Sequence, residues 1–298
     1  MLAIVAPGQG AQNPGFLTPW LELPGLADRL SAWSEIAGLD LIAYGTTAGA
    51  DEIRDTAVAQ PLLVAAALAS AEALGVTPDV VAGHSVGEFA AAAIAGVLTP
   101  ETALSLVRER AQAMAKAAAV TETGMTAVLG GDEADVLAAI ERHGLTPANI
   151  NGAGQIVAGG TLEQLAAFAA EPPARARLRP LSVAGAFHTL HMAPAVEHLR
   201  TAVAGAEPAD PRVTLLSNAD GAAVTGGAEF LDRLVAQVSN PVRWSSCMAT
   251  MTDLGVTRLV ELLPGGTLTG LAKRAMPGVT TVAIKTPDDL ETAREALI

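Results

Sequence analysis

Short apolar runs closed by Gly or Pro alternate with longer helix-like stretches along most of this chain. Leu2 to Ala6 is wholly apolar and stops at Pro7, which predicts a short buried strand. Gln60-Pro61 opens an apolar helix through Leu74, bounded by Gly75 and Pro78. Val80 to Gly83 is the next buried strand, and the alanine-rich run Phe89 to Gly96 is a tightly packed helix. Thr99-Pro100-Glu101-Thr102 then starts a further helix reaching about Ala119, with Thr at the N-cap, Pro at the first position and an acid in the first turn. Residues 13–57 carry Pro14, Pro19, Pro24 and Gly25 and predict only loop and short helix.

From Thr123 the pattern changes. Met125 to Leu129 alternates as a strand, and Glu133 to His143 is an amphipathic helix stopped by Gly144. Pro147 to Asn151 and Gln155 to Ala158 are short strands joined by a hairpin at Gly152-Ala153-Gly154. A helix at Leu162 to Ala169 and a strand at Arg177 to Val183 complete a β-α-β-β-α-β order, the ferredoxin-like unit. Beyond it come a helix after Pro194, a strand at Val213 to Leu216, and helices around Phe230–Val238 and Val242–Leu254. A strand at Arg258 to Leu262, a helix at Thr267 to Ala275, a strand at Val279 to Ile284 and a helix from Pro287 follow. The expected architecture is therefore α/β: a hydrolase-like, parallel-sheet large subdomain from residues 1–122 and 187–298, with a ferredoxin-like small subdomain inserted at 123–186.

Composition fits this picture. Half of the 298 residues are hydrophobic but only 3% are aromatic, so the core is built from Ala, Val and Leu, which lets helices lie close to a sheet. A net charge of −13 argues against nucleic acid, because phosphate binding needs a basic face. Arg175, Arg177, Arg179, Lys273 and Arg274 are the only basic clusters. The single cysteine, Cys247, excludes an intrachain disulfide, fits a reducing compartment and reads as a small buried hydrophobe. The opening apolar run is too short for a signal peptide, and Phe89 to Leu98, read as the longest uncharged apolar stretch, falls short of the ~20 residues a membrane span requires. These features predict a cytoplasmic protein with no membrane partner, and the lack of a Cys/His ligand cluster predicts no metal or cofactor.

The chemistry centres on Gly83-His84-Ser85-Val86-Gly87, placed between a strand and a helix. That context is what a nucleophile elbow requires. Glycines on either side of the serine relieve crowding at a sharp turn, and the following helix directs its free N–H groups and positive end at the serine oxygen. A serine hydroxyl needs a base. Of the five histidines, His84 adjoins the serine and should point away from it, His143 ends a surface helix, and His191 and His198 lie on or near the helix after Pro194. His188 alone follows a buried strand at the expected site, so it is the candidate base. Gly8-Gln9-Gly10 also lies at the carboxyl end of a strand, where α/β sheets bind ligands. Gln60 either faces the site or caps its helix. Arg108 and Arg110 cannot share a helix face, so at most one turns inward.

Gly8-Gln9-Gly10-Ala11-Gln12, Gly83-His84-Ser85-Val86-Gly87-Glu88, Arg110, Gly185-Ala186-Phe187-His188 and Gln237-Val238-Ser239-Asn240-Pro241-Val242 together resemble the malonyl-CoA:acyl carrier protein transacylases, in the family's order and with similar spacing. Gly265-Gly266-Thr267-Leu268 resembles the family's late glycine turn, and the opening through Trp20 looks most like actinobacterial members serving fatty-acid and polyketide synthesis. The resemblance implies that Ser85 takes the malonyl group from malonyl-CoA with His188 as base, and that the N–H groups of Gln9 and Val86 form the oxyanion hole. It implies that the backbone carbonyl of Gln237 orients His188, and that Arg110 holds the malonyl carboxylate. It implies that Phe187 narrows the pocket, where methylmalonyl-selective relatives resemble Tyr-Ala-Ser-His. The phosphopantetheine thiol of acyl carrier protein would then accept the malonyl group, and because such carriers are acidic the basic clusters at Arg175, Arg177 and Arg179 and at Lys273 and Arg274 are the candidates for docking it. A serine hydrolase is the main rival reading, but it predicts a histidine near the C-terminus and has no use for Arg110. A non-catalytic relative would have no reason to keep Ser85, His188 and Arg110 together.

Overall fold

The computed structural model describes residues 1–296. A six-stranded sheet has the order β10-β9-β1-β2-β7-β8, built from β1 (Leu2–Ala6), β2 (Val80–Gly83), β7 (Thr214–Leu216), β8 (Ala223–Val224), β9 (Arg258–Glu261) and β10 (Thr280–Ala283). All neighbours are parallel except the β7–β8 hairpin. The central strand β1 is buried on both faces, which is why it reads as an unbroken apolar run. Leu2, Ile4 and Ala6 point to one layer, packed with α3 (Thr56–Leu74), α4 (Gly87–Ile94) and α5 (Pro100–Ala118). Ala3 and Val5 point to the other, packed with α10 (Trp244–Asp253) and α11 (Thr267–Ala275).

The second sheet is antiparallel, order β4-β5-β3-β6, from β3 (Thr123–Gly130), β4 (Thr146–Gly152), β5 (Gln155–Thr161) and β6 (Ala176–Pro180). With α6 (Glu133–Arg142) and α7 (Leu162–Ala170) this is the ferredoxin-like order expected from the sequence. Its β4 meets the segment before α10 through paired bonds, Ile150 N–H to Val242 O and Val242 N–H to Ala148 O, both 2.9 Å. The small sheet is thereby fixed over the carboxyl ends of the large one.

Several elements differ from expectation for physical reasons. Pro61 does not open α3: the helix begins at Thr56, capped by the Asp55 side chain, and Pro61 lies within it. Thr56–Leu74 is longer than the Phe89–Leu98 run and is the one helix among the described residues long and apolar enough to cross a membrane. However, 72% of that window is buried inside the fold, as a core helix would be. Residues 13–57, expected to hold only loop and short helix, contain the twelve-residue α1 (Leu26–Ala37), which starts just after Pro24 and Gly25, besides α2 (Leu41–Thr46). β3 is buried on both faces over most of its length instead of alternating. The strand expected to reach Val183 ends at Pro180, so no buried strand leads into His188. His143 is half-buried, its ring packed edge-on against Phe168. Of the remaining helices, α8 spans Ala193–Val203, α9 Gly227–Gln237 and α12 Asp289–Glu295.

Candidate active site

The turn between β2 and α4 holds Ser85 at φ 54°, a left-handed conformation rarely taken by a side-chain-bearing residue. It is tolerated because the turn is over-determined. A Cβ at Gly83 would strike the Gly87 and Glu88 backbone, and one at Gly87 would strike Ala6 and Pro7. Asn218, just past the carboxyl end of β7, completes the brace: its Oδ1 accepts the Ser85 N–H at 2.8 Å and its Nδ2 donates to Gly83 O at 2.8 Å. The bend is thus pinned from an adjacent strand.

His188 is also left-handed, at φ 61°, in the irregular segment after β6. Local bonds shape that segment: Ala186 N–H to Thr123 Oγ1 at 2.9 Å and Thr189 Oγ1 to Ala186 O at 2.7 Å. They set the imidazole with Nε2 2.7 Å from Ser85 Oγ and Nδ1 2.8 Å from Gln237 O. A carbonyl can only accept, so Nδ1 carries the hydrogen and Nε2 is left free to accept from the serine hydroxyl. Burial, with the Arg110 charge second, lowers the imidazole to about 3, so it stands neutral at ordinary pH.

Arg110 is 1% exposed, while Arg108 on the same helix is half-buried and pairs with Glu109. Nη1 donates to Gln60 Oε1 at 2.5 Å and Nη2 to Gln237 Oε1 at 2.8 Å. Its Nε–H has no partner among the described residues. Burial lowers the guanidinium to about 10, which leaves it charged. Gln60 therefore faces the site and does not cap a helix.

These groups share a cavity of about 220 Å³ with Gln9, Val86 and Phe187, closed on the far side by residues of the antiparallel sheet such as Met125 and Asn149. The N–H groups of Gln9 and Val86 donate to no protein acceptor among the described residues. The Gln9 loop is tied down by side-chain bonds, Gln9 Nε2 to Arg54 O at 3.3 Å and Gln12 Nε2 to Ile53 O at 2.9 Å. His84, expected to point away, lines the cavity, with Nε2 2.9 Å from Asn151 Oδ1 and its ring edge-on to Trp244. His198 pairs with Glu109 at 2.9 Å, outside the site. Cys247 is fully buried and its thiol is pushed up by desolvation, which suits the inert role expected of it. Among the described residues no group of three His, Cys, Asp or Glu is placed to hold a metal ion.

Sequence reasoning missed Asn218 and Glu88 as parts of the site. Asn218 had one usable signal, its position directly after a parallel strand. Glu88 had none, since an acid in the first turn of a helix is common.

An anchored serine, a neutral imidazole beside it and a buried cation in the same cavity suit acyl transfer from a donor that carries a negative charge. Comparison with known proteins gives the same class. Residues 5–289 match the family model described as acyl transferase domain. The chain is 54% identical to the malonyl CoA-acyl carrier protein transacylase of Mycobacterium tuberculosis over 98% of each chain, and 33% identical to that of Bacillus subtilis over 99% and 97%. The crystal structure of MCAT from M. tuberculosis superposes with a TM-score of 0.95 at 53% identity, covering 98% of this chain and 99% of that one. A type II PKS acyl-carrier protein in complex with its malonyl-transacylase contributes a chain that superposes at 0.91 with 31% identity, 99% of each chain covered. The chain belongs to the acyl transferase domain family and, within it, to the malonyl CoA-acyl carrier protein transacylases.

Proposed function

We propose that this enzyme transfers the malonyl group from malonyl-CoA to the phosphopantetheine thiol of acyl carrier protein through a malonyl-serine intermediate. The observation that carries the reading is the 2.7 Å contact between Ser85 Oγ and His188 Nε2 in the cavity that also contains Arg110. His188 takes the hydroxyl proton as Ser85 Oγ attacks the thioester carbonyl, and the imidazolium so formed is steadied by its Nδ1–H bond to Gln237 O. The free N–H groups of Val86 and Gln9 receive the developing oxyanion. Collapse of that intermediate expels the CoA thiolate, which takes the proton back from His188. The carrier thiol then repeats the sequence in reverse on the acyl-serine.

Arg110 grips the malonyl carboxylate by exchanging its Gln60 and Gln237 amide contacts for a charged one. Phe187, 6% exposed, lines the cavity and leaves little room for a branch on the acyl group. The division into residues 1–122 with 187–298, and 123–186, fits this chemistry, because the first part carries the reacting groups and the second supplies the facing wall. Fatty-acid synthesis is the supply route we assign, with a polyketide carrier as a second acceptor favoured by the resemblance to the transacylase solved with its type II PKS carrier. We place the enzyme in the cytoplasm, with its CoA donor. Transfer of radiolabelled acyl groups from malonyl-, methylmalonyl- and acetyl-CoA to a purified holo-carrier tests the reading. Malonyl should dominate, and equal transfer from all three donors would defeat it.

A further inference from the structure

Glu88 lies three residues after the nucleophile and takes no part in the chemistry above. Its carboxylate is buried, with Oε1 accepting the Asn218 N–H at 2.6 Å and Oε2 accepting Gln237 Nε2 at 2.5 Å. The same Gln237 amide presents its oxygen to Arg110 Nη2 at 2.8 Å. The three side chains form a directional relay: guanidinium to amide oxygen, amide N–H₂ to carboxylate. An amide oriented in this way transmits the attraction between the charges at its two ends. The other charged group acting on Glu88 is Arg233 of α9, which is already paired with Asp220 and Glu229. Cys247 of α10 faces Glu88 as a neutral thiol, and His84 and His188 are held neutral by burial.

A malonyl carboxylate arriving at Arg110 places two anions against one buried cation. Two like charges in a dry site cannot both stay ionised cheaply, and the one held less directly takes a proton. The malonyl group touches the guanidinium itself, whereas Glu88 reaches it only through Gln237. We propose that Glu88, where it is ionised, is the counter-ion of Arg110 through Gln237, and that it takes up one proton from solvent when a malonyl carboxylate binds, so that a single buried cation is never shared by two anions. The proposal rests on the reading of Arg110 as the carboxylate site. The step is Glu88 carboxylate plus a solvent proton giving the carboxylic acid, with no bond to substrate. Burial already pushes the Glu88 carboxyl up to about 8, against the pull of Asn218, Gln237 and Arg110, so the free site holds the anion above that pH, and below it Glu88 is already protonated and malonyl binds without uptake. Malonyl affinity then weakens as pH rises above that value, by up to about tenfold per pH unit, while acetyl affinity does not.

The test uses the full-length Ser85→Ala protein, in which no acyl transfer intervenes. Calorimetric titration of malonyl-CoA in buffers of different ionisation enthalpy should show almost no proton uptake at about pH 7 and nearly one proton per site at about pH 9. Acetyl-CoA should show none at either pH. Difference infrared spectra at the higher pH should show a protonated-carboxyl band with malonyl-CoA only, a signal that an imidazole cannot give. Glu88→Gln in the same background should remove both signals. Tight malonyl-CoA binding without uptake or band overturns the proposal, as does uptake that survives Glu88→Gln. Should that double variant fail to fold, the Ser85→Ala protein with malonyl-CoA ¹³C-labelled at its carboxylate decides: a protonated-carboxyl band unmoved by the label belongs to the protein, and one that shifts with it overturns the proposal. Failure of the underlying reading looks different: malonyl-CoA and acetyl-CoA would bind equally well, and Arg110→Ala would not separate them.

Discussion

Replacing Arg110 by alanine should convert a malonyl-selective site into an indifferent one. The guanidinium is buried and already satisfied on two sides by Gln60 and Gln237, so the substrate gains only the difference between a carboxylate and a neutral amide as partner. Hydrogen bonds to a charged group contribute about 1.5–3 kcal/mol each, and the guanidinium–amide bonds already fall in that range, so a carboxylate adds at most about 1.5 kcal/mol a bond. Two exchanged bonds therefore favour the malonyl group by up to about 3 kcal/mol, or up to roughly a hundred-fold in kcat/KM. The substitution also leaves Glu88 without its counter-charge, frees two amides and relieves His188 of a nearby positive charge. Those effects fall on every acyl donor alike, so the ratio of malonyl to acetyl transfer cancels them. The assay is kcat/KM for both CoA esters at one carrier concentration, for the parent chain and for Arg110→Ala. The ratio should fall by the factor above while acetyl transfer changes far less. Equal losses for both donors would refute the carboxylate role and the energetic argument together.

Three further outcomes follow from the same geometry. Asn218→Ala removes the brace on a left-handed serine, and should lower kcat/KM about 10- to 100-fold and stability by about 2–3 kcal/mol, read by transfer assay and urea unfolding; unchanged kcat/KM would show that the elbow holds itself. The imidazole of His188 is lowered to about 3 in the folded chain, so below its ordinary value of 6.5 the unfolded chain binds a proton that the folded one refuses. Stability is then complete above 6.5 and falls as pH drops towards 3, with His84 acting in the same direction, and the acid limb of kcat/KM should lie well below 6.5; urea midpoints that are flat with pH would contradict this. Reversing Arg177 and Arg179, both exposed on β6, to glutamate should raise KM for the acidic carrier and leave KM for malonyl-CoA unchanged; an unchanged carrier KM would move the docking surface elsewhere.

Much of this molecule is written in short-range patterns. β2, the elbow and α4 follow from an apolar run, two glycines and an alanine helix, because each demand is local. The cap of α5 is equally local, with Thr99 Oγ1 accepting the Thr102 N–H at 3.1 Å. The ferredoxin-like unit is legible because its strands and helices alternate with clear turn residues. α1 was hidden because the prolines that seem to break it lie just before its start. The start of α3 was misplaced because Pro61 is tolerated once tertiary packing buries the whole helix. The approach to His188 could not be read as what it is, since an irregular apolar segment and a buried strand share the same composition. The relay from Arg110 through Gln237 to Glu88 joins residues 22 to 149 positions apart, and no local pattern reports such a contact.

The central claim is that Ser85 carries the acyl group between donor and carrier. Mixing the enzyme with malonyl-CoA alone, quenching in acid and mapping the peptides by mass should find one malonyl group, on Ser85, which disappears on addition of holo-carrier as malonyl-carrier forms. A malonyl group on any other residue, or malonyl-carrier formed at full rate by Ser85→Ala, would contradict it.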